Sequence, residues 1–396
     1  MGAFTRYILK KIMLILLYPL RVFPIKKNKV VLLNDIMNKD ANFSSNPKYI
    51  ALFLRKNYPG KFDIIYPLSK GASSNEVIEN GFKVVKLKSI KYFYHVITCG
   101  FFITTSGGIS YVPFRKSQIV INSWHGGGAY KKMALDYVDD DNLRKALRIA
   151  ESKTDFFLSS NLYFSNAIQS AFLMPKNKIL DFGLPRNDIF FKDNKCQIDK
   201  VKEFYSLNEN SKIVLYAPTY RSAEESIFLK HTLGPYEIDY SGVLLALNER
   251  FGGDWVFAIR LHPSLVGSGI DLPKDVIDMT SYDDPQELMC AADVLINDFS
   301  STMWDFVQTR KPCFIFATDL ENYDSKLGFY TPPESWPFPL SMNNEKLFNN
   351  IVNFDNREYQ AKVDSYFEWM NSYENGSSCE QLANLMCSVL DYGGKL

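Results

Sequence analysis

Short apolar runs, rich in β-branched and aromatic residues, alternate along this chain with longer stretches of helical periodicity. One series of runs falls at 30–33, 63–66, 83–87, 101–105, 119–121 and 156–159, and a second at 213–216, 255–260, 276–279, 294–297 and 313–316. Continuous apolar runs of this length are read as strands buried on both faces, and strand–helix alternation predicts parallel sheets covered by helices. Two such series in succession predict two α/β lobes facing a cleft. Ligands of open parallel sheets sit beyond the carboxyl ends of the strands, so the polar loops that follow the runs are where chemistry is expected.

The 396 residues exceed one ordinary core and fit two lobes of somewhat under 200 residues each. The polar stretch over 191–202 separates the two strand series and sets the expected boundary near residue 195. The expected organisation is a basic amphipathic segment at 1–28, a first lobe at 29–194, a second at 195–355, and terminal helices at 356–396 that cross back to the first lobe. With 45 basic against 44 acidic residues, the chain lacks the basic excess that nucleic-acid binding requires, and no nucleic-acid partner is expected. Six cysteines lie scattered without a Cys-x-x-Cys pair or a histidine at ligand spacing, which suggests neither a disulfide framework nor a metal site.

Before Asp35 there is no acidic residue, while Arg6, Lys10, Lys11, Arg21, Lys26, Lys27 and Lys29 flank the apolar run 12–17. That run is far short of the ~20 residues a spanning helix needs, and Pro19 and Pro24 interrupt its continuation. A basic, apolar helix of this kind lies in the headgroup region of an anionic membrane, so a peripheral protein on the cytoplasmic face is expected.

The most informative loop is Asn122-Ser-Trp-His-Gly-Gly-Gly-Ala-Tyr-Lys-Lys132, which joins an imidazole, His125, to a glycine backbone able to approach a phosphate, with lysines behind it. Four further polar loops follow strand runs. Gly183-Leu-Pro-Arg-Asn-Asp188 offers Arg186, and Tyr216-Ala-Pro-Thr-Tyr-Arg221 offers Pro218 and Thr219. Arg260-Leu-His-Pro263 offers Arg260, Leu261 and His262. Asp293-Val-Leu-Ile-Asn-Asp-Phe-Ser-Ser-Thr-Met-Trp-Asp305 runs from a strand into a helix start, where Ser300, Ser301 and the first amides would hold an anion and Asp305 would orient a partner.

Taken together and in this order, the five motifs resemble those of the CDP-glycerol glycerophosphotransferase family, the teichoic acid primases and polymerases. The resemblance covers about residues 40 to 355. It implies a GT-B fold and transfer of a polyol phosphate, glycerol phosphate foremost, from a CDP-activated donor to a hydroxyl of a lipid-linked acceptor, with release of CMP. It implies that His125 is the general base, and that donor-binding positions fall at Trp124, Gly126, Gly127, Gly128, Arg186, Pro218, Thr219, Arg260, Leu261, His262, Ser300, Ser301 and Asp305. Many members read Trp-His-Gly-Thr-Pro-Leu-Lys-Lys where this chain has three glycines, a change expected to free the loop. No metal or other cofactor is expected. The competing reading is a GT-B glycosyltransferase using a nucleotide sugar, which would release a nucleoside diphosphate.

Overall fold

The computed structural model describes residues 3–34, 42–106, 111–128, 130–219, 238–261 and 272–392. By contact density the chain divides into two units. Unit 1 comprises Met1–His125, Met133–Asp188 and Ser372–Leu396, and unit 2 comprises Gly126–Lys132 and Ile189–Asn371.

Unit 1 is built on seven strands: β1 (Lys26–Leu33), β2 (Asp63–Leu68), β3 (Lys83–Lys86), β4 (Cys99–Thr104), β5 (Ile119–Asn122), β6 (Phe156–Leu158) and β7 (Ile179–Leu180). They pair in parallel in the order β3-β2-β1-β4-β5-β6-β7. Both faces are covered, which is why the runs are continuously apolar. Val30, Leu32, Phe101, Ile103, Ile119 and Ile121 point into a core shared with Leu382, Ala383 and Met386 of the helix Ser378–Tyr392. Their neighbours Val31, Leu33, Phe102 and Val120 point to the opposite face, against Tyr92, Val96 and Ile97 of the helix Ile90–Thr98.

Unit 2 repeats the plan with β8 (Lys212–Tyr216), β9 (Trp255–Ile259), β10 (Val276–Asp278), β11 (Val294–Asn297), β12 (Cys313–Phe316) and β13 (Leu340–Ser341), in the order β10-β9-β8-β11-β12-β13 and again parallel. In both sheets the strand order reverses beside the unit's first strand, between β1 and β4 and between β8 and β11. Such a reversal splays the loops at the carboxyl ends and opens the crevice in which α/β sheets bind ligands.

The division departs from the expected boundaries in three places. The chain leaves unit 1 after Asp188 rather than near 195, and Gly126–Lys132 is an island of unit 2 within the sequence of unit 1. The helix Asn356–Met370 stays with unit 2, because Tyr359, Val363, Tyr366 and Met370 are buried there and Tyr366 stacks on Trp304 with ring centroids 5.1 Å apart. Only the last segment, from Ser372, belongs to unit 1.

Candidate active site

In unit 1 the site is assembled after β5. Trp124 takes a left-handed backbone conformation, φ +54°, which costs a non-glycine residue on the order of 1–2 kcal/mol and is held by its surroundings. Its indole packs against His125 at 4.2 Å and Phe172 at 4.8 Å between ring centroids. Asn46, in the first turn of the helix Ser45–Asn57, donates from Nδ2 to the carbonyls of Ser123 at 2.9 Å and Trp124 at 3.0 Å.

The His125 ring is oriented by Nδ1, which lies 2.9 Å from the carbonyl oxygen of Thr105, the residue after β4. A carbonyl accepts only, so Nδ1 carries the hydrogen and Nε2 keeps its lone pair. Burial lowers the imidazole pKa from its ordinary 6.5; the Thr105 carbonyl opposes that shift and the charge of Arg186 adds to it. A neutral imidazole with Nε2 as acceptor is the form a general base requires.

Arg186 is buried and structural in its first contacts: Nη1 donates to the His125 carbonyl at 2.8 Å, and its backbone N–H donates to Oδ1 of Asn46 at 3.1 Å. The rest of its motif clamps the end of the chain. Glu374 accepts from the Leu184 amide at 3.2 Å and from Nδ2 of Asn187 at 3.0 Å. Asp188 accepts from the amides of Ser378 at 3.0 Å and Cys379 at 2.8 Å. Neither acidic residue's partner is visible in the local sequence.

In unit 2 the loops after β8 and β11, on either side of the strand reversal, are tied by Asp298. Its carboxylate accepts from the Thr219 amide at 2.8 Å and from the Thr219 hydroxyl at 2.6 Å. A threonine hydroxyl has one hydrogen, so Thr219 spends its donor on the loop and holds the neighbouring, buried Pro218 in place instead of donating to a phosphate. The serine pair also differs from expectation. The helix that follows, Thr302–Phe306, is five residues long, and Ser301 makes no capping bond, so the long helix start that would hold an anion by its dipole is not present. Ser300 Oγ instead accepts from the Thr302 hydroxyl at 3.1 Å, which leaves its own hydrogen for another acceptor. Asp305 is buried beneath and accepts from Nε2 of Gln286 at 3.3 Å.

Arg260 follows β9. Its Nη1 donates to the carbonyls of Met279 at 3.0 Å and Tyr282 at 2.7 Å, leaving Nε and Nη2 as the donors open to an anion. Leu261 is buried, its amide bonded to the Thr280 hydroxyl at 3.0 Å. His262 lies outside the described residues.

The triple glycine is not the free loop expected. Gly126 is half-buried and Gly127 and Gly128 are buried. Gly128, at φ +70°, leaves no room for a side chain: a Cβ there would stand 2.8 Å from Trp304 Cγ. Lys131 bridges Phe329 through the backbone, and its ammonium meets the Tyr323 hydroxyl at 3.1 Å. Close packing onto an aromatic cluster thus replaces the proline of the more usual motif. Among the described residues no group of His, Cys, Asp and Glu is arranged to hold a metal ion.

The model of the CDP-glycerol:poly(glycerophosphate) glycerophosphotransferase family matches residues 16–388. The chain belongs to this family. Among the family's curated members it is 28% identical over 361 residues to the teichoic acid poly(glycerol phosphate) polymerase of Staphylococcus epidermidis, covering 87% of this chain and 49% of that protein. The chain therefore spans about half the length of that relative. It is 26% identical to the teichoic acid glycerol-phosphate transferase of Staphylococcus aureus, covering 86% of this chain and 88% of that protein. The solved wall teichoic acid polymerase TagF superposes with a TM-score of 0.78 at 27% identity, over 93% of this chain and 90% of that one. The family's fold is accordingly the GT-B arrangement of two parallel sheets flanked by helices.

Proposed function

We propose that the protein transfers glycerol phosphate from CDP-glycerol to a hydroxyl of a lipid-linked acceptor, releasing CMP, in the synthesis of teichoic acid or a related envelope polymer. The observation that carries this reading is the His125 tautomer, fixed by the Thr105 carbonyl so that Nε2 is the free acceptor. The acceptor hydroxyl loses its proton to Nε2 as its oxygen bonds to the phosphorus bearing the glycerol. The bond from that phosphorus to the bridging oxygen breaks, and CMP departs with the bridging electron pair. Phosphoryl transfer depends chiefly on positioning and charge stabilisation. Here Arg260, through Nε and Nη2, and the Ser300 hydroxyl serve the diphosphate, with Ser301 and the glycine backbone as further donors. Support comes also from TagF, a variant of which, with a histidine replaced by asparagine, was solved after soaking with CDPG.

Attachment to the anionic surface of the cytoplasmic membrane goes with this function. Among the described residues no helix is long and apolar enough to cross a membrane. The helix Ala3–Leu17 and the turn Tyr18–Val22 bury Leu17 in the core of unit 1 while Ile12, Ile15, Leu16, Tyr18 and Val22 stay exposed beside Lys10, Lys11 and Arg21. Apolar side chains inserted at the interface and cations at the headgroups fit that arrangement.

The test is to incubate the protein with CDP-glycerol or CDP-ribitol and a lipid-linked acceptor and to identify the nucleotide released. CMP release that depends on acceptor and vanishes in His125→Ala supports the proposal. Release of CDP, or wild-type turnover by His125→Ala, refutes it.

A further inference from the structure

We propose that Asn46 is a positioning residue for proton transfer, setting the His125 imidazole through the backbone without touching substrate; this rests on the reading of His125 as the base. Asn46 is wholly buried, and its carboxamide bonds both the loop that carries the base and the Gly183-Leu-Pro-Arg loop. Both Nδ2 hydrogens hold carbonyls of the two residues before His125, Ser123 at 2.9 Å and Trp124 at 3.0 Å, while Oδ1 accepts from the Arg186 amide at 3.1 Å. Arg186 then holds the third consecutive carbonyl, that of His125, at 2.8 Å. Asn46 and Arg186, joined through the Arg186 backbone amide, thus hold three successive carbonyls.

The need for such a fixture is local. Trp124 is held at φ +54°, and relaxation of that residue into an ordinary conformation would swing the following imidazole away from the Thr105 carbonyl that sets its tautomer. Only a short primary amide supplies two donors and an acceptor from one plane without bringing charge beside the ring. An aspartate of the same shape can still accept from Arg186 but presents negative oxygens to two carbonyls, and alanine leaves all three groups unpaired.

The full chain is examined as wild type, Asn46→Asp, Asn46→Ala and His125→Ala. Acceptor-dependent CMP release from CDP-glycerol gives kcat and KM, and nitrogen NMR of 15N-histidine-labelled protein reports the tautomer of His125. In the Asn46 variants kcat is expected to fall by about 10–100-fold, with KM for CDP-glycerol within about 3-fold, as befits displacement of a base. The wild type is expected to show the Nδ1–H form that the Thr105 carbonyl requires, and the Asn46 variants a mixture of tautomers. If His125→Ala is inactive while Asn46→Asp keeps wild-type kcat and tautomer, the role given to Asn46 is wrong. Loss of kcat with lowered thermal stability but an unchanged tautomer also overturns it, since that is what a purely structural asparagine would do. If His125→Ala turns over like wild type, the base assignment itself falls and takes this proposal with it.

Discussion

Replacing Asp188 by alanine should loosen the end of the chain rather than the chemistry, though the residue stands two positions from Arg186 in a motif expected to bind substrate. Its carboxylate is buried and accepts from the Ser378 and Cys379 amides at 3.0 and 2.8 Å, so it caps the helix Ser378–Tyr392 from 190 residues away. Removal leaves two buried amides unpaired, each costing about 1–3 kcal/mol, and loss of a helix cap by itself costs about 1 kcal/mol. Because the amides are the cap, the two figures describe one loss, and about 3 kcal/mol is a fair total. For a folding unit of roughly 200 residues that corresponds to a fall in melting temperature of about 6–12 °C. The capped helix contributes Leu382, Ala383 and Met386 to the core of unit 1, so its release should be felt there. Calorimetry of Asp188→Ala, with hydrogen exchange followed by mass spectrometry, should show deprotection over 378–392 and little change in unit 2. Asp188→Asn, which keeps an accepting oxygen, should lose roughly half as much. If Asp188→Ala melts and exchanges like wild type yet has lost turnover, the carboxylate serves the reaction and the capping argument is wrong.

Three further outcomes follow from the same geometry. Gly128→Ala places a methyl at φ +70° and 2.8 Å from the buried Trp304, and should cost about 2–3 kcal/mol in urea unfolding; an unchanged midpoint would contradict the packing described. Burial lowers the His125 pKa, so the acid limb of kcat/KM should lie below the ordinary 6.5, and a limb above it would exclude this imidazole as the base. The same shift makes this group's contribution to stability complete above 6.5 and progressively lost as pH falls through the folded value, because the unfolded chain binds the proton more readily. Lys29 is buried with its ammonium on the Thr98 hydroxyl at 2.6 Å and over the Tyr94 ring, and burial lowers its pKa from 10.5. Lys29→Met should therefore stabilise by about 1 kcal/mol near neutral pH, with the gain shrinking as pH rises toward 10.5; destabilisation would show that the charge is better compensated than it looks.

What could be read from the sequence was what depends on neighbours along the chain. β11 is an apolar run set between Asp293 and the polar Asn297, and β12 an apolar run that opens directly after Pro312, so both strands are legible along the chain. β7 and β13 were missed because two residues carry no periodicity, and both are recognisable only as additions to the edge of an existing sheet. The motif loops were legible as loops, but not the work of their polar groups. Thr219 reads as a phosphate donor until Asp298 is seen to take its hydrogen. Asn46 reads as an ordinary residue of a helix start, and nothing within ten positions shows that it bonds to 123, 124 and 186. The island at 126–132 was likewise hidden, since a continuous stretch of sequence gives no sign of where its contacts lie.

The two units meet the same physical requirement by the same means. A parallel sheet whose order reverses leaves loops at its carboxyl end with few backbone partners, which suits ligands but leaves the loops free to move. In unit 2 one buried carboxylate, Asp298, joins the loops after β8 and β11 across the reversal by accepting two bonds from Thr219. In unit 1 one buried amide, Asn46, joins the loop after β5 to the Gly183-Leu-Pro-Arg loop. The choice of side chain follows from what must be held. Asp298 faces an amide and a hydroxyl, both donors, and a carboxylate accepts from both. Asn46 faces two carbonyls and an amide, a mixture that only a carboxamide satisfies. A carboxylate in the second position would also raise the pKa of the neighbouring imidazole and favour its protonated form, which cannot accept a proton from an alcohol. The identity of each fixture is thus set first by hydrogen-bond complementarity and, beside the base, by charge.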